Sequence, residues 1–259
     1  MPAELIAGYL KLPVFALVAA RLGGLLMWQP VLGAMAIPAR LRVLLILGLA
    51  AMITPLVHLP ADAPDTPLGV LLALGGEVLL GGLLGLLTAA CFVGLEVGGQ
   101  LVAQEAGLAF GQLVDPNTEQ EQTVVGVFQV QFAVVVYLVI GGHRALLAAC
   151  VDTFESIPLL ATVATGAAGS ELLCRVLDQS GQVALRVTAP ALLALFLVNL
   201  ALGFISRTLP QLNIIAVGFS VISLGAFLVL AAALPSATEA WLAALEHVYL
   251  WLGELIGPG

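Results

Sequence analysis

A chain of 259 residues in which 61% are hydrophobic and only 9% charged departs from a water-soluble domain, where about a quarter of residues carry charge. No stretch has the mixed polarity needed to face water on all sides, so soluble domains are excluded and a single all-α membrane-associated domain is expected. The formal net charge of −8 argues against nucleic acid or an anionic surface as a partner.

The opening segment, "MPAELIAGYLKLPVFALVAARLGGLLMW", lacks the basic region and small-residue cleavage site of a secretory signal, since Glu4 precedes Lys11. It reads as a first helix that stays in the protein. A membrane-crossing helix needs about 20 mainly apolar residues. In chain order the candidates are Leu12 to Ile37, Leu41 to Leu59, Leu68 to Leu95, Val124 to Val151, Val183 to Ile205 and Ile214 to Leu234, with a shorter apolar tail from Ala240 to Ile256.

Several of these are poor spans in lipid. An arginine or acid at a helix centre costs about 2.5 to 3.5 kcal/mol, while each Leu or Ile returns only about 0.3 to 0.6. Arg21, Glu77 and Arg186 each cancel several leucines, and Pro13, Pro30, Pro55 and Pro190 are expected to break their helices. Helices so interrupted need protein neighbours. Glycines repeat at an interval of four, Gly81 with Gly85 and Gly94 with Gly98, a spacing that lets helix backbones approach closely.

From Val43 to His143 there is no Lys or Arg, yet eight acids occur: Asp62, Asp65, Glu77, Glu96, Glu105, Asp115, Glu119 and Glu121. Cytoplasmic loops carry the basic excess. The segments around Asp62 and Asp115 are therefore expected away from the cytoplasm, and the turn at Arg207 on the cytoplasmic side.

No nucleophile motif, phosphate loop or metal cluster stands out, and a non-enzymatic role without cofactor or metal is expected. His143 has no orienting carboxylate nearby, Asp152 being nine residues on. Cys91, Cys150 and Cys174 match no zinc or redox spacing and read as small buried hydrophobes. Glu77, Glu96 and Glu105 are open to two readings, an ion path or lodging against another helix. Neither Glu77 nor Glu96 has a basic residue near it in sequence. Gln129 or Gln131, and Asn199, are candidates to hydrogen-bond a neighbouring helix.

The longest polar interruption is "GLAFGQLVDPNTEQEQT", Gly107 to Thr123. Its apolar head suits water poorly and its acidic tail suits lipid poorly. A pore lining or pore mouth inside a helical bundle satisfies both, because non-helical backbone is tolerated there and apolar constrictions gate by dewetting. An ordinary extracytoplasmic loop is the plainer alternative.

"GLAFGQLVDP" (Gly107 to Pro116), "GGHRALLAACVDTFESIPL" (Gly141 to Leu159) and "NLALGFISRTLPQLNIIAVGF" (Asn199 to Phe219) resemble hallmark segments of the FliR family of flagellar export-gate proteins, whose injectisome homologue is SctT. The resemblance implies broken helical hairpins packed with FliP-like and FliQ-like subunits, with FlhB-like and FlhA-like export proteins nearby. Through such a gate unfolded flagellar subunits pass, at the flagellar basal body in the bacterial inner membrane. It implies a pore plug formed by Gly107, Leu108, Phe110, Leu113, Val114, Asp115 and Pro116, and a contact with the FlhB-like loop at Arg207, Pro210, Gln211, Leu212 and Asn213. It also implies a division into a FliP-like portion at about 1–182, a FliQ-like hairpin at 183–235 and a tail at 236–259. The injectisome component and an ion-coupled small-molecule transporter using Glu77 or Glu105 are the alternatives.

Overall fold

The computed structural model describes residues 3–31, 37–57, 66–108, 123–160, 167–208 and 214–256. The regular elements among the described residues are all helices: α1 (Ala3–Trp28), α2 (Ala39–Ile53), α3 (Pro67–Glu105), α4 (Val124–Val139), α5 (Gly142–Ser156), α6 (Ala167–Thr208) and α7 (Ile214–Ile256). Three segments are long and apolar enough to cross a membrane: 67–105, 174–205 and 220–253, with mean hydropathies of 2.3, 2.1 and 2.0. α4 and α5 qualify only together, as one span bent by 66°.

The bend replaces the straight span expected from Val124 to Val151, and its cause is local. Gly141 adopts φ +76, a left-handed conformation that carries little penalty only for glycine. The Tyr137 ring lies against Gly142, where a Cβ would collide with it. Tyr249 Oη donates to the Gly142 carbonyl at 3.0 Å and lies 3.1 Å from Tyr137 Oη, so two phenols hold the corner.

Proline acts less often as a break than expected. α1 ends just ahead of Pro30, and Pro55 lies in the turn after α2, but Pro13 and Pro190 lie inside unbroken helices. The expected stop at Leu234 is also absent, since α7 runs through Pro235 and takes in the apolar tail. In apolar surroundings a break would strand several backbone groups, which costs more than the one hydrogen bond a proline removes. Side chains assist near Pro235: Thr238 Oγ1 donates to the Leu234 carbonyl at 2.7 Å and Ser236 Oγ to that of Ala233 at 2.9 Å.

The chain divides into two compact units, one of residues 1–90, 137–177 and 247–259, the other of residues 91–136 and 178–246. In the first, α1 and the start of α3 meet backbone to backbone. A Cβ on Gly81 would overlap the Arg21 carbonyl, one on Gly85 would press on the Leu25 carbonyl, and one on Gly24 would overlap that of Val78. In the second, Gly94 faces Ser180 and Val183, Gly98 faces Ala184 and Thr188, and Gly99 faces Gly126. Both expected glycine pairs therefore form helix contacts. The core of the second unit gathers Val102, Ala103, Ala106, Val125, Ala191, Leu195 and Ala226.

We expect Gly81→Ala to destabilise the detergent-solubilised protein by about 1 to 3 kcal/mol, the usual cost of overpacking. Gly48→Ala, where a Cβ meets open space, should be neutral or stabilising by up to about 1 kcal/mol. Thermal unfolding midpoints of the two variants check this, and equal shifts would remove the close-approach argument.

Candidate functional site

The loop from Gly107 to Thr123 is rooted on the end of α3 by a glycine cap. Gly107 has φ +71. Its N–H donates to the Gln104 carbonyl at 3.1 Å, and the Leu108 N–H reaches back to that of Ala103 at 2.9 Å. This pair of bonds is the Schellman motif, which satisfies helix-end carbonyls and turns the chain sharply away. Leu108 then packs on the cluster of Val102, Ala103, Ala106 and Leu195, supplying the apolar contact that accompanies such caps. Of the residues assigned to the plug, Gly107 and Leu108 form the cap at the end of α3. Phe110, Leu113, Val114, Asp115 and Pro116 lie outside the described residues.

A second tie secures the same end. Asn199 Nδ2 on α6 donates to the Glu105 carbonyl at 3.2 Å and to Glu105 Oε2 at 3.3 Å. The Glu105 carbonyl belongs to the last turn of α3, where carbonyls lack a partner within the helix. Asn199 therefore does bond a neighbouring helix, as its place in an apolar segment suggests. Gln129 is buried and its Oε1 has no partner, while Gln131 is exposed.

In the other unit a buried ion pair joins three helices. Arg21 is fully buried and Glu77 is 3% exposed, with Arg21 Nε donating to Glu77 Oε2 at 2.6 Å. The rest of the guanidinium caps the end of α5. Nη1 donates to the Thr153 carbonyl at 3.1 Å and to Thr153 Oγ1 at 3.0 Å, and Nη2 donates to the Ile157 carbonyl at 3.1 Å. A cation is favoured at a helix C-terminus by the dipole. The face of Phe154 adds a contact, its centroid 4.3 Å from Arg21 Cζ.

The other oxygen of the carboxylate is used as well. Glu77 Oε1 accepts the Leu160 N–H at 3.0 Å. Leu160 has φ +72, the only non-glycine positive φ among the described residues, and a side chain there costs about 1 to 2 kcal/mol. The carboxylate holds the strained turn that follows α5, and the neighbouring Leu159 is buried.

Spacing pointed to no partner for Glu77, because the arginine that answers it is 56 residues away. The signal available in sequence was charge itself: two costly residues of opposite sign in separate apolar helices. Glu105 is exposed and bonded to Asn199, and Glu96 is half-buried. His143 is half-buried with Nδ1 unpartnered. Cys91 and Cys150 are buried as expected, whereas Cys174 is exposed on α6, a correction. Arg207 is exposed in the last turn of α6, and Pro210, Gln211, Leu212 and Asn213 lie outside the described residues.

Long apolar helices, glycine seams and a fully paired internal charge define a polytopic helical membrane protein packed more tightly than lipid contact alone requires. Over residues 12–248 the sequence matches the family described as bacterial export proteins, family 1, and the chain belongs to that family. It is 29% identical over 205 residues to the flagellar biosynthetic protein FliR of Caulobacter vibrioides, covering 78% of this chain and 80% of that protein. The Escherichia coli protein of the same name is 29% identical over 209 residues, covering 77% and 76%. The secretion system apparatus protein SsaT of Salmonella typhimurium is 24% identical over 179 residues, covering 69% of each chain.

Glu77→Leu should destabilise the protein by about 3 to 5 kcal/mol, because it leaves a buried guanidinium uncompensated. The double variant Arg21→Met, Glu77→Leu should recover much of that loss, since a well-packed apolar pair replaces a buried ion pair at little cost. Unfolding midpoints of the single and double variants test the coupling. Equal losses in both would show that the pair has no special dependence on its partner.

Proposed function

We propose that this chain is a structural subunit of a flagellar type III export gate in the bacterial inner membrane, at the flagellar basal body. It helps to form and close the channel through which unfolded flagellar subunits leave. The observation that carries this reading is the Gly107–Thr123 loop. It is an apolar segment with an acidic tail, set between membrane-grade helices and anchored at its start by a glycine cap and Asn199. A loop with a fixed root and an apolar head is suited to obstruct a pore. Its relatives named as flagellar biosynthetic proteins supply the cellular setting.

In this reading Phe110, Leu113 and Val114 seal the closed channel, with Gly107 and Leu108 as the root and Asp115 and Pro116 setting the following turn. Arg207 to Asn213 forms the cytoplasm-facing turn that meets an FlhB-like loop. FliP-like and FliQ-like subunits surround the chain, with an FlhA-like protein nearby, and residues 183–235 serve as its FliQ-like hairpin. A virulence injectisome is the second setting, favoured by the similarity to SsaT, and neighbouring genes distinguish the two. Glu77, the acid on which ion coupling would lean, is already bound to Arg21 and the Leu160 N–H.

Phe110→Ala should make the closed assembly measurably leakier to ions or small solutes while leaving its subunit composition intact. Conductance of the purified complex reads this directly, and unchanged conductance would remove Phe110 from the seal. Arg207→Glu should impair export of flagellar subunits with little loss of assembly. A site-specific crosslinker at Gln211 should capture an FlhB-like protein, and failure to form that product under export conditions would discard the contact.

A further inference from the structure

α2 is apolar on every side. From Val43 to Ile53 it carries Val, Leu, Ile, Met, Ala and one Gly, with no side chain able to hydrogen-bond. Leu41, Val43, Leu44, Leu47 and Met52 are exposed, while Ala50 and Ile53 are buried. A helix apolar all round belongs either inside protein or in lipid.

The devices by which this chain's other helices meet protein are missing here. Elsewhere glycines bring backbones together, as Gly81 and Gly85 do in one unit and Gly98 and Gly99 in the other, or an amide crosses between helices, as Asn199 does. Gly48 of α2 has open space where a Cβ would stand. Without a small-residue seam or a hydrogen-bonding side chain, a membrane helix gains little from a second helix over lipid tails.

Its polar groups sit at one end. Arg40 is exposed and Arg42 half-buried. Both lie in the first turn, where the helix dipole disfavours cations. With 15 residues the helix is about 22 Å long, short of the roughly 30 Å hydrocarbon core. Arginines at one end and none at the other suit a helix tethered to one headgroup layer, because long basic side chains extend from apolar helices to the interface.

The surrounding sequence has the matching sign. From Leu5 to Ala61 there is no Asp or Glu, while Lys11, Arg40 and Arg42 fall within it beside Arg21, whose charge is taken up by Glu77. The acidic net charge of the whole chain acts weakly on this end, since exposed charges are screened beyond about 8 to 10 Å at ordinary salt.

We infer that α2 faces the lipid of the bilayer and that Arg40 and Arg42 hold anionic phospholipid headgroups. This does not rest on the export-gate reading. A photoreactive residue replacing Leu44 in the full-length chain, irradiated in the membranes where it is made, should give adducts with phospholipid. Adducts to another polypeptide instead would overturn the inference and assign α2 to a protein interface. The same chain, reconstituted in vesicles of equal parts phosphatidylglycerol and phosphatidylcholine and then solubilised, should retain phosphatidylglycerol preferentially. Arg40→Gln, Arg42→Gln should lower that preference by roughly five-fold or more, and Arg40→Lys, Arg42→Lys should keep most of it. No preference in the parent chain, or the same preference in the glutamine variant, would also overturn it.

Discussion

A buried guanidinium needs acceptors in place of water, and the first compact unit is organised around that requirement. Arg21 meets it by reaching Glu77 on α3 and the final carbonyls at the end of α5. Those carbonyls lack helical partners in any case, so the cation and the helix end satisfy one another. The carboxylate, in turn, takes the N–H of Leu160 and so holds a turn that its own backbone disfavours. Removing either charge strands the other, and it also frees the end of α5 when Arg21 is lost or the Leu160 turn when Glu77 is lost. The pair therefore specifies how three helices meet, although its desolvation cost keeps it from adding much net stability.

This pair depends on close approach. Arg21 lies on the seam where Gly81 receives its backbone carbonyl, one helix turn of α3 beyond Glu77. A larger residue at Gly81 would push α1 and α3 apart. Between helices in an apolar medium there is no hydrophobic drive to compensate, and packing and hydrogen bonds decide association. The glycines and the ion pair are thus two parts of one joint: glycine sets the distance at which the short Nε to carboxylate bond is possible.

The helical class, the long apolar segments of α3, α6 and α7 and the glycine seams were legible in the sequence because each follows from local spacing. The spans expected at Leu12 to Ile37 and Leu41 to Leu59 are instead shorter helices, α1 ending at Trp28 and α2 at Ile53. Gly81 with Gly85, and Gly94 with Gly98, needed only a four-residue interval to be seen as contact faces. The pairing of Arg21 with Glu77 was not legible, since it joins residues far apart in the chain that fall together only once α1 lies along α3. Proline misled for a related reason. Its local rule says break, but at Pro13, Pro190 and Pro235 the apolar surroundings penalise a break more than a missing bond. At the candidate site the expected helix stopped at Leu95, whereas α3 continues to Glu105 and ends at the Gly107 cap. The tie from Asn199 depended on which residue of α3 would stand opposite it, which periodicity does not tell.

The root of the loop also has a mechanical consequence. A loop that leaves a helix at a sharp turn loads the last turn of that helix, which has to be held by something other than its own hydrogen bonds. Here the Schellman turn, the packing of Leu108 and the double bond from Asn199 fix the last turn of α3 within the second unit. These ties are made to backbone carbonyls, to apolar side chains and to the Glu105 carboxylate. The last turn of α3 is thereby held through the same cluster, Val102, Ala103 and Leu195, that forms the core of its unit, so the helix end and the core are stabilised together.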